Sequence, residues 1–212
     1  MEVSHTHSSI SPYSATMEVG SSTPLNYSST TYYEYDVFIN FRGEDTRNTI
    51  VGHLYEKLHK LGLITFMDDK VLSIGEDLNL KLVEAIEKSK FYIIVLSENY
   101  ASSKWCLREL AKIIECTCGI TNRIFPVFYH VDPSDVRHQS GSFKQCFDHH
   151  QQTALKFTGR QKEKYLKEIQ NWRDCLTRVS SLIGEVVTKH SKWNEPGFGF
   201  EKISILYLMN IE

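Results

Sequence analysis

No Lys or Arg occurs before Arg42, and no apolar run approaches the roughly 18 residues of a membrane span. The first absence removes the basic start of a secretory signal. It also removes the arginines of an organelle transit peptide, although the beginning of the chain is Ser-rich. Three phosphate and nucleophile signatures are missing. There is no Gly-x-x-x-x-Gly-Lys-Ser/Thr loop, no Gly-x-Gly-x-x-Gly turn and no Gly-x-Ser-x-Gly elbow. Walker-type NTPases, Rossmann dehydrogenases and α/β-hydrolases are thereby disfavoured. Positive charge is not in excess either: Lys+Arg number 24 against 26 Asp+Glu, a net charge of −2. Binding driven by a duplex phosphate backbone needs a basic surface, so no nucleic-acid partner is expected, and no membrane partner. The five cysteines, Cys106, Cys116, Cys118, Cys146 and Cys175, are an odd number. Without a secretory signal they read as reduced thiols in the cytoplasm, and a chain of 24.6 kDa is small enough for nuclear entry.

What is present is a globular composition, 41% hydrophobic and 24% charged, over 212 residues, enough for one ordinary core. Residues 1–33 differ from the rest. Ser and Thr dominate, large apolar residues are sparse, and a disordered tail is expected. From residue 34 onward a folded domain is expected to run to residue 212. Strands are predicted over 35–41, 63–66, 91–96, 124–129 and 185–188, all aromatic or β-branched. Pro126 lacks an N–H for the ladder and points to an edge or bulge. Helical stripes lie between the strands: Ile50, Val51, Leu54, Leu58 and Leu61; Leu78, Leu82, Ala85 and Ile86; Leu107, Leu110, Ala111, Ile113 and Ile114. A longer helix is predicted over 160–182 with Tyr165, Ile169, Trp172, Leu176 and Val179 inward, and a final one over 198–211.

Apolar strands alternating with helices imply an α/β fold, a parallel sheet covered on both faces. Five strands on this plan fit the flavodoxin-like order 2-1-3-4-5. Ligands in that class sit at the carboxyl ends of strands 1 and 3. Two loops should therefore face one another: Arg42-Gly43-Glu44-Asp45-Thr46-Arg47, and the stretch from Ser97 to Trp105. Two readings of the first loop stand. Its arginines suit a diphosphate, with Gly43 allowing a tight turn or positive φ; equally, it is a salt-bridged loop capped by Asp45 or Thr46. In the helix that follows the second loop, Trp105 and Glu109 are four apart and share a face. An indole beside a carboxylate suits a cationic planar ring and an oxocarbenium-like sugar. The plainer reading is a glutamate in the first turns of a helix, favoured by the macrodipole. Cys116-Thr-Cys118 is too short and isolated for zinc, and Cys146, His149 and His150 read as a solvated helix face rather than metal ligands.

Taken in order, Tyr35-Asp36-Val37-Phe38, Phe41-Arg42-Gly43-Glu44-Asp45-Thr46-Arg47, Thr65-Phe66, Asp68-Asp69, Leu96-Ser97-Glu98-Asn99-Tyr100, the run from Ser103 to Leu110 and the run from Pro126 to Arg137 resemble plant Toll/interleukin-1 receptor (TIR) domains. The resemblance spans everything but the tail. It implies the TIR version of the flavodoxin-like fold, either as a TIR-only protein or as the N-terminal part of a TIR-type disease-resistance protein. It also implies an activity: an NAD+ hydrolase that cuts the nicotinamide–ribose bond on self-association, yielding ADP-ribose and cyclic or variant products in plant immune signalling. By position Glu109 matches the catalytic glutamate and Trp105 the aromatic residue beside it. Arg42, Gly43, Glu44, Asp45, Thr46 and Arg47 match the loop that contacts NAD+. No metal or prosthetic group is implied; NAD+ is the substrate. The implied partners are other copies of the domain and other TIR receptors.

Residues 67–77 match a family loop that packs against a neighbouring subunit, and the first and last helices match a self-association surface. Three departures fall there. Ile74 precedes Gly75 where a basic residue is common; Gly52-His53 stands where Ser-His is common; Glu185 follows Gly184 where tryptophan is usual. A glycine inside a helix costs about 1 kcal/mol relative to alanine. The departures bear on assembly more than on chemistry, and they support the rival expectation of a catalytically weak adaptor that binds full-length TIR receptors. A receiver or flavin-binding domain of the same fold fits poorly, because its phosphoacceptor pocket or flavin phosphate loop is missing.

Overall fold

The computed structural model describes residues 32–67, 80–117 and 120–191. The expectations for the Ser/Thr tail up to residue 31, the final helix over 198–211, Leu78, Ile74 and Gly75 lie outside the described residues. Five strands form one parallel sheet in the order β2-β1-β3-β4-β5: β1 Tyr35–Phe41, β2 Thr65–Met67, β3 Ser89–Leu96, β4 Ile124–Tyr129 and β5 Glu185–Val187. Every pairing is parallel, with Phe38 opposite Phe66 and Tyr92, and Val95 opposite Val127. This is the order expected from the strand–helix alternation.

Alternation along the strands divides the core in two. Phe38, Tyr92, Ile94, Leu96 and Phe128 face α3 (Leu80–Glu87), α4 (Lys104–Cys116), α6 (Gly141–Ala154) and α7 (Gly159–Val179). Val37, Ile39, Phe41, Ile93, Val95 and Val127 face Ile50, Val51, Leu54 and Leu58. The central strands β1, β3 and β4 are mostly apolar because both faces are covered, whereas β2 and β5 at the edges are only partly buried. The long-helix stripe is buried as expected at Tyr165, Ile169, Trp172, Leu176 and Val179. No helix among the described residues is long and apolar enough to cross a membrane.

Several local expectations are corrected. The stripe beginning at Ile50 does not belong to one helix. A short α1 (Gly43–Thr46) passes through a kinked π turn at Arg47–Val51, in which Thr49 is non-helical (φ −126, ψ −115), into α2 (Gly52–Lys60). Leu61 is 57% exposed rather than inward. It is the C-cap of α2, and the chain leaves the helix through Gly62 at φ +79, a left-handed position that favours glycine. Pro126 lies in the interior strand β4, not at an edge. By period-two alternation its nitrogen points the same way as that of His130, which donates to Val187 O across β5. However, β5 pairs only from Val127 onward, so Pro126 forfeits no ladder bond. Two helices follow β4: α5 (Pro133–His138), which was not predicted, and α6, of which only the face with Cys146, His149 and His150 was. His150 of α6 is buried, not solvated: its Nε2 meets Ala101 O at 2.8 Å and its Nδ1 the Tyr165 hydroxyl at 3.1 Å.

Candidate active site at the carboxyl end of the sheet

β1 ends at Phe41 and β3 at Leu96, so the residues after each emerge side by side at the point where the strand order reverses. A direct bond joins the two loops: Ser97 Oγ donates to Asp45 Oδ2 at 2.6 Å. The other Asp45 oxygen accepts from Arg42 Nη1 at 2.5 Å, and Arg42 Nη2 is held by Glu44. Both terminal nitrogens of Arg42 are therefore engaged by neighbouring carboxylates. Arg42 occupies the N-cap position of α1 without a side-chain cap, so neither Asp45 nor Thr46 caps the helix. Thr46 is buried inside it and its hydroxyl donates to Arg42 O at 2.9 Å.

Gly43 opens α1 with ordinary helical geometry rather than positive φ. Its missing side chain has a different use. A Cβ there would lie 3.1 Å from Arg47 Nη2, and the Arg47 guanidinium stacks 5.1 Å over the Phe41 ring. The glycine leaves room for that cation beside the start of α1 and over the Phe41 ring, a contact favourable to both ring and charge.

Across the crevice, Ser103 caps α4, accepting from Cys106 N at 3.3 Å. Trp105 is half-buried in the first turn, and Glu109 follows one turn later, only 7% exposed. Glu109 lies beyond the first turn, which holds no acidic residue, so the macrodipole, which acts within that turn, does not account for its placement. What holds it is Asn40 of β1, whose Nδ2 donates to Glu109 Oε2 at 2.7 Å. The Asn40 amide also receives the Tyr100 hydroxyl at Oδ1, and Tyr100 further approaches Cys106 O at 3.1 Å. Cys106 donates through Sγ to Phe41 O at 3.3 Å. Burial first, then the negative charge of Glu109, pushes the Cys106 thiol well above its ordinary range. Burial likewise keeps the Tyr100 hydroxyl protonated as a donor.

Glu109, Trp105 and the Arg42–Arg47 loop are thus brought to one end of the sheet. Gly52 and His53 are not part of that cluster; they begin α2, with His53 exposed. Asn40 and Tyr100 were not singled out in the sequence. An amide in the apolar run Val37–Phe41 of β1 was the available signal for Asn40, since a wholly buried polar side chain requires a partner.

Comparison with known proteins gives this geometry a family. A family model described as TIR domain matches residues 34–196. The chain is 46% identical over 157 residues to TMV resistance protein N of Nicotiana glutinosa, covering 74% of this chain and 13% of that protein. It is 46% identical over 164 residues to disease resistance protein RPV1 of Vitis rotundifolia, covering 77% of this chain and 11% of that one. The chain therefore spans only a small fraction of the length of these curated relatives. Among solved structures, the TIR domains of the activated Roq1 resistosome, described as directly recognizing the pathogen effector XopQ, superpose with a TM-score of 0.64. They share 41% identity, over 84% of this chain and 99% of that one. The chain belongs to the TIR domain family, and its relatives are plant disease-resistance proteins.

Proposed function

We propose that this TIR domain hydrolyses NAD+ at the nicotinamide–ribose bond when copies of it associate, with Glu109 as the catalytic carboxylate. The observation that carries the reading is Glu109 itself: a nearly buried carboxylate, anchored by Asn40, one turn from Trp105 and at the same end of the sheet as the Arg42–Arg47 loop. The chemistry asks little more of the protein. Nicotinamide leaves as a neutral base from a cationic pyridinium, so its departure needs no acid. The C–N bond electrons go with the leaving group, and positive charge develops on the ribose. A fixed carboxylate in a site with little water stabilises that charge. Water then adds at the anomeric carbon and releases a proton, giving ADP-ribose; attack by the substrate's own adenine ring gives a cyclic product. In this reading Trp105 offers its face to the pyridinium, while Arg42 and Arg47 serve the diphosphate. Gly52, His53, Ile74 and Gly75 belong to the self-association surface, and the site works without a metal or prosthetic group.

A second reading draws on one observation: both terminal nitrogens of Arg42 are occupied by Glu44 and Asp45, so binding a diphosphate there requires breaking ion pairs. A domain that does not break them would pair with TIR receptors and turn over little NAD+.

NAD+ consumption and product analysis by the full chain, across a range of concentrations, distinguishes the two. An assembling hydrolase loses NAD+ faster than linearly with protein, and Glu109→Ala abolishes the loss. Equal loss in wild type and variant refutes the role of Glu109. No loss at any concentration from folded protein leaves the binding-module reading in its place.

A further inference from the structure

Asn40 is 0% exposed in a strand whose other inward neighbours are apolar, and its amide is used at both ends. Nδ2 donates to Glu109 Oε2 at 2.7 Å and lies 3.4 Å from Cys106 O; Oδ1 accepts from Tyr100. The orientation of the amide is determined by these partners. A carboxylate only accepts, so it demands the NH2 side. With Nδ2 on the carboxylate, Oδ1 is left as the acceptor for the Tyr100 O–H, which burial keeps protonated. Turned over, the amide would set its oxygen against the carboxylate. Tyr100 is itself fixed: it is wholly buried in the short 3-10 turn Tyr100–Ser102, immediately before the cap of α4. Among the described residues no buried side-chain nitrogen or oxygen lacks a partner, so this network is complete.

We propose that Asn40 is a positioning residue for the Glu109 carboxylate, and that Tyr100 sets the amide in the orientation this requires. The inference rests on Glu109 being the catalytic carboxylate. Its physical content is that strand β1, the 3-10 turn and helix α4 share one relay, Tyr100 to Asn40 to Glu109. The relay favours the ionised carboxylate and removes its freedom to rotate. A hydrogen bond to a charged group is among the stronger ones, and a carboxylate held in a single rotamer loses nothing to reorganisation at the moment of reaction.

The test compares the full chain with Asn40→Asp and Tyr100→Phe. Asn40→Asp keeps the shape, deletes the donor and sets a second carboxyl against Glu109. Tyr100→Phe keeps the ring and takes away the donor that holds the amide at Oδ1. Rates are normalised to the folded fraction measured by circular dichroism. Tyr100→Phe is expected to lower kcat about tenfold or more with KM little changed. Asn40→Asp is expected to lower kcat further and to move the acid limb of the pH profile upward, because two carboxyls in contact resist joint ionisation. A residue that only fills the core would alter the melting temperature and leave both the pH profile and the kcat-to-KM split as in wild type; that result overturns the proposal. If the wild type cleaves no NAD+, the hydrolase reading fails, and carbon-13 NMR of labelled glutamate then decides the relay by itself. A Glu109 titration that rises in Asn40→Asp and moves in Tyr100→Phe sustains it; unchanged titration in both overturns it.

Discussion

At Gly184, just before β5, a Cβ would lie 2.4 Å from Pro126 O and 2.7 Å from Pro126 Cγ. The closest of these is backbone, which cannot step aside as a flexible side chain would. Gly184→Ala is therefore expected to destabilise the fold by about 1–3 kcal/mol, the cost of overpacking, read as a lower urea midpoint. A midpoint equal to wild type would mean that β5 shifts freely away from β4. The same residue scale explains which site residues were legible in the sequence. Trp105 and Glu109 belong together through helical spacing alone, which any reader of the chain can apply. Asn40 and Glu109 are 69 positions apart, and only the fold brings them to 2.7 Å. The charged loop was legible as a loop, but not its internal use. Arg42 is spent on Glu44 and Asp45, while Gly43 serves Arg47 by close approach instead of by positive φ.

At the scale of elements, the central strands were legible because burial on both faces leaves them mostly apolar, whereas the segments after β4 were not. α6 reads polar: Phe143, Phe147, His150 and Ala154 are its buried positions, and a histidine in that stripe disguises the period. α5 is only six residues long, although its start is marked by Asp132 accepting from Ser134 N and by Pro133. The start of α2 was legible as a hydrophobic stripe but not as a kinked π turn, in which Ile50 and Val51 stay inward although Thr49 is non-helical. This changes the meaning of Gly52. In a regular helix interior, alanine would gain about 1 kcal/mol over glycine. Here a Cβ on residue 52 would meet Arg47 O at 3.0 Å, across the kinked turn. Gly52→Ala is therefore expected to leave the melting temperature unchanged or lower it. A rise of several degrees would show that the π turn relaxes into a regular helix at little cost.

Across the molecule as a whole, stability should pass through a maximum near neutral pH, because buried groups at opposite ends of the scale are held uncharged. His150 joins α6, α7 and the 3-10 turn before α4, amid Phe147, Tyr165 and Trp172. A carbonyl only accepts, so Nε2 carries the proton towards Ala101 O, and Nδ1 accepts from Tyr165. Burial lowers its pKa below the ordinary 6.5, and burial lowers that of His130 as well. As pH falls below about 6.5, the unfolded chain takes up these protons first, so stability present above that pH is lost towards the folded values. On the alkaline side the sign reverses. Burial raises Cys175 to about 11 and Tyr92 to about 12, and it also raises Cys106 and Tyr100 well above their ordinary values. The unfolded chain loses these protons first, so stability falls as pH rises past about 9. Melting temperatures measured from pH 5 to 10 should trace this dome. In His150→Gln, which retains an amide donor but cannot titrate, the slope between about pH 5 and 6.5 should flatten, leaving the contribution of His130. The alkaline limb should stay as it was. An acid limb of unchanged slope in that variant would assign the loss to other groups, since carboxylates with ordinary affinities take up protons only at lower pH.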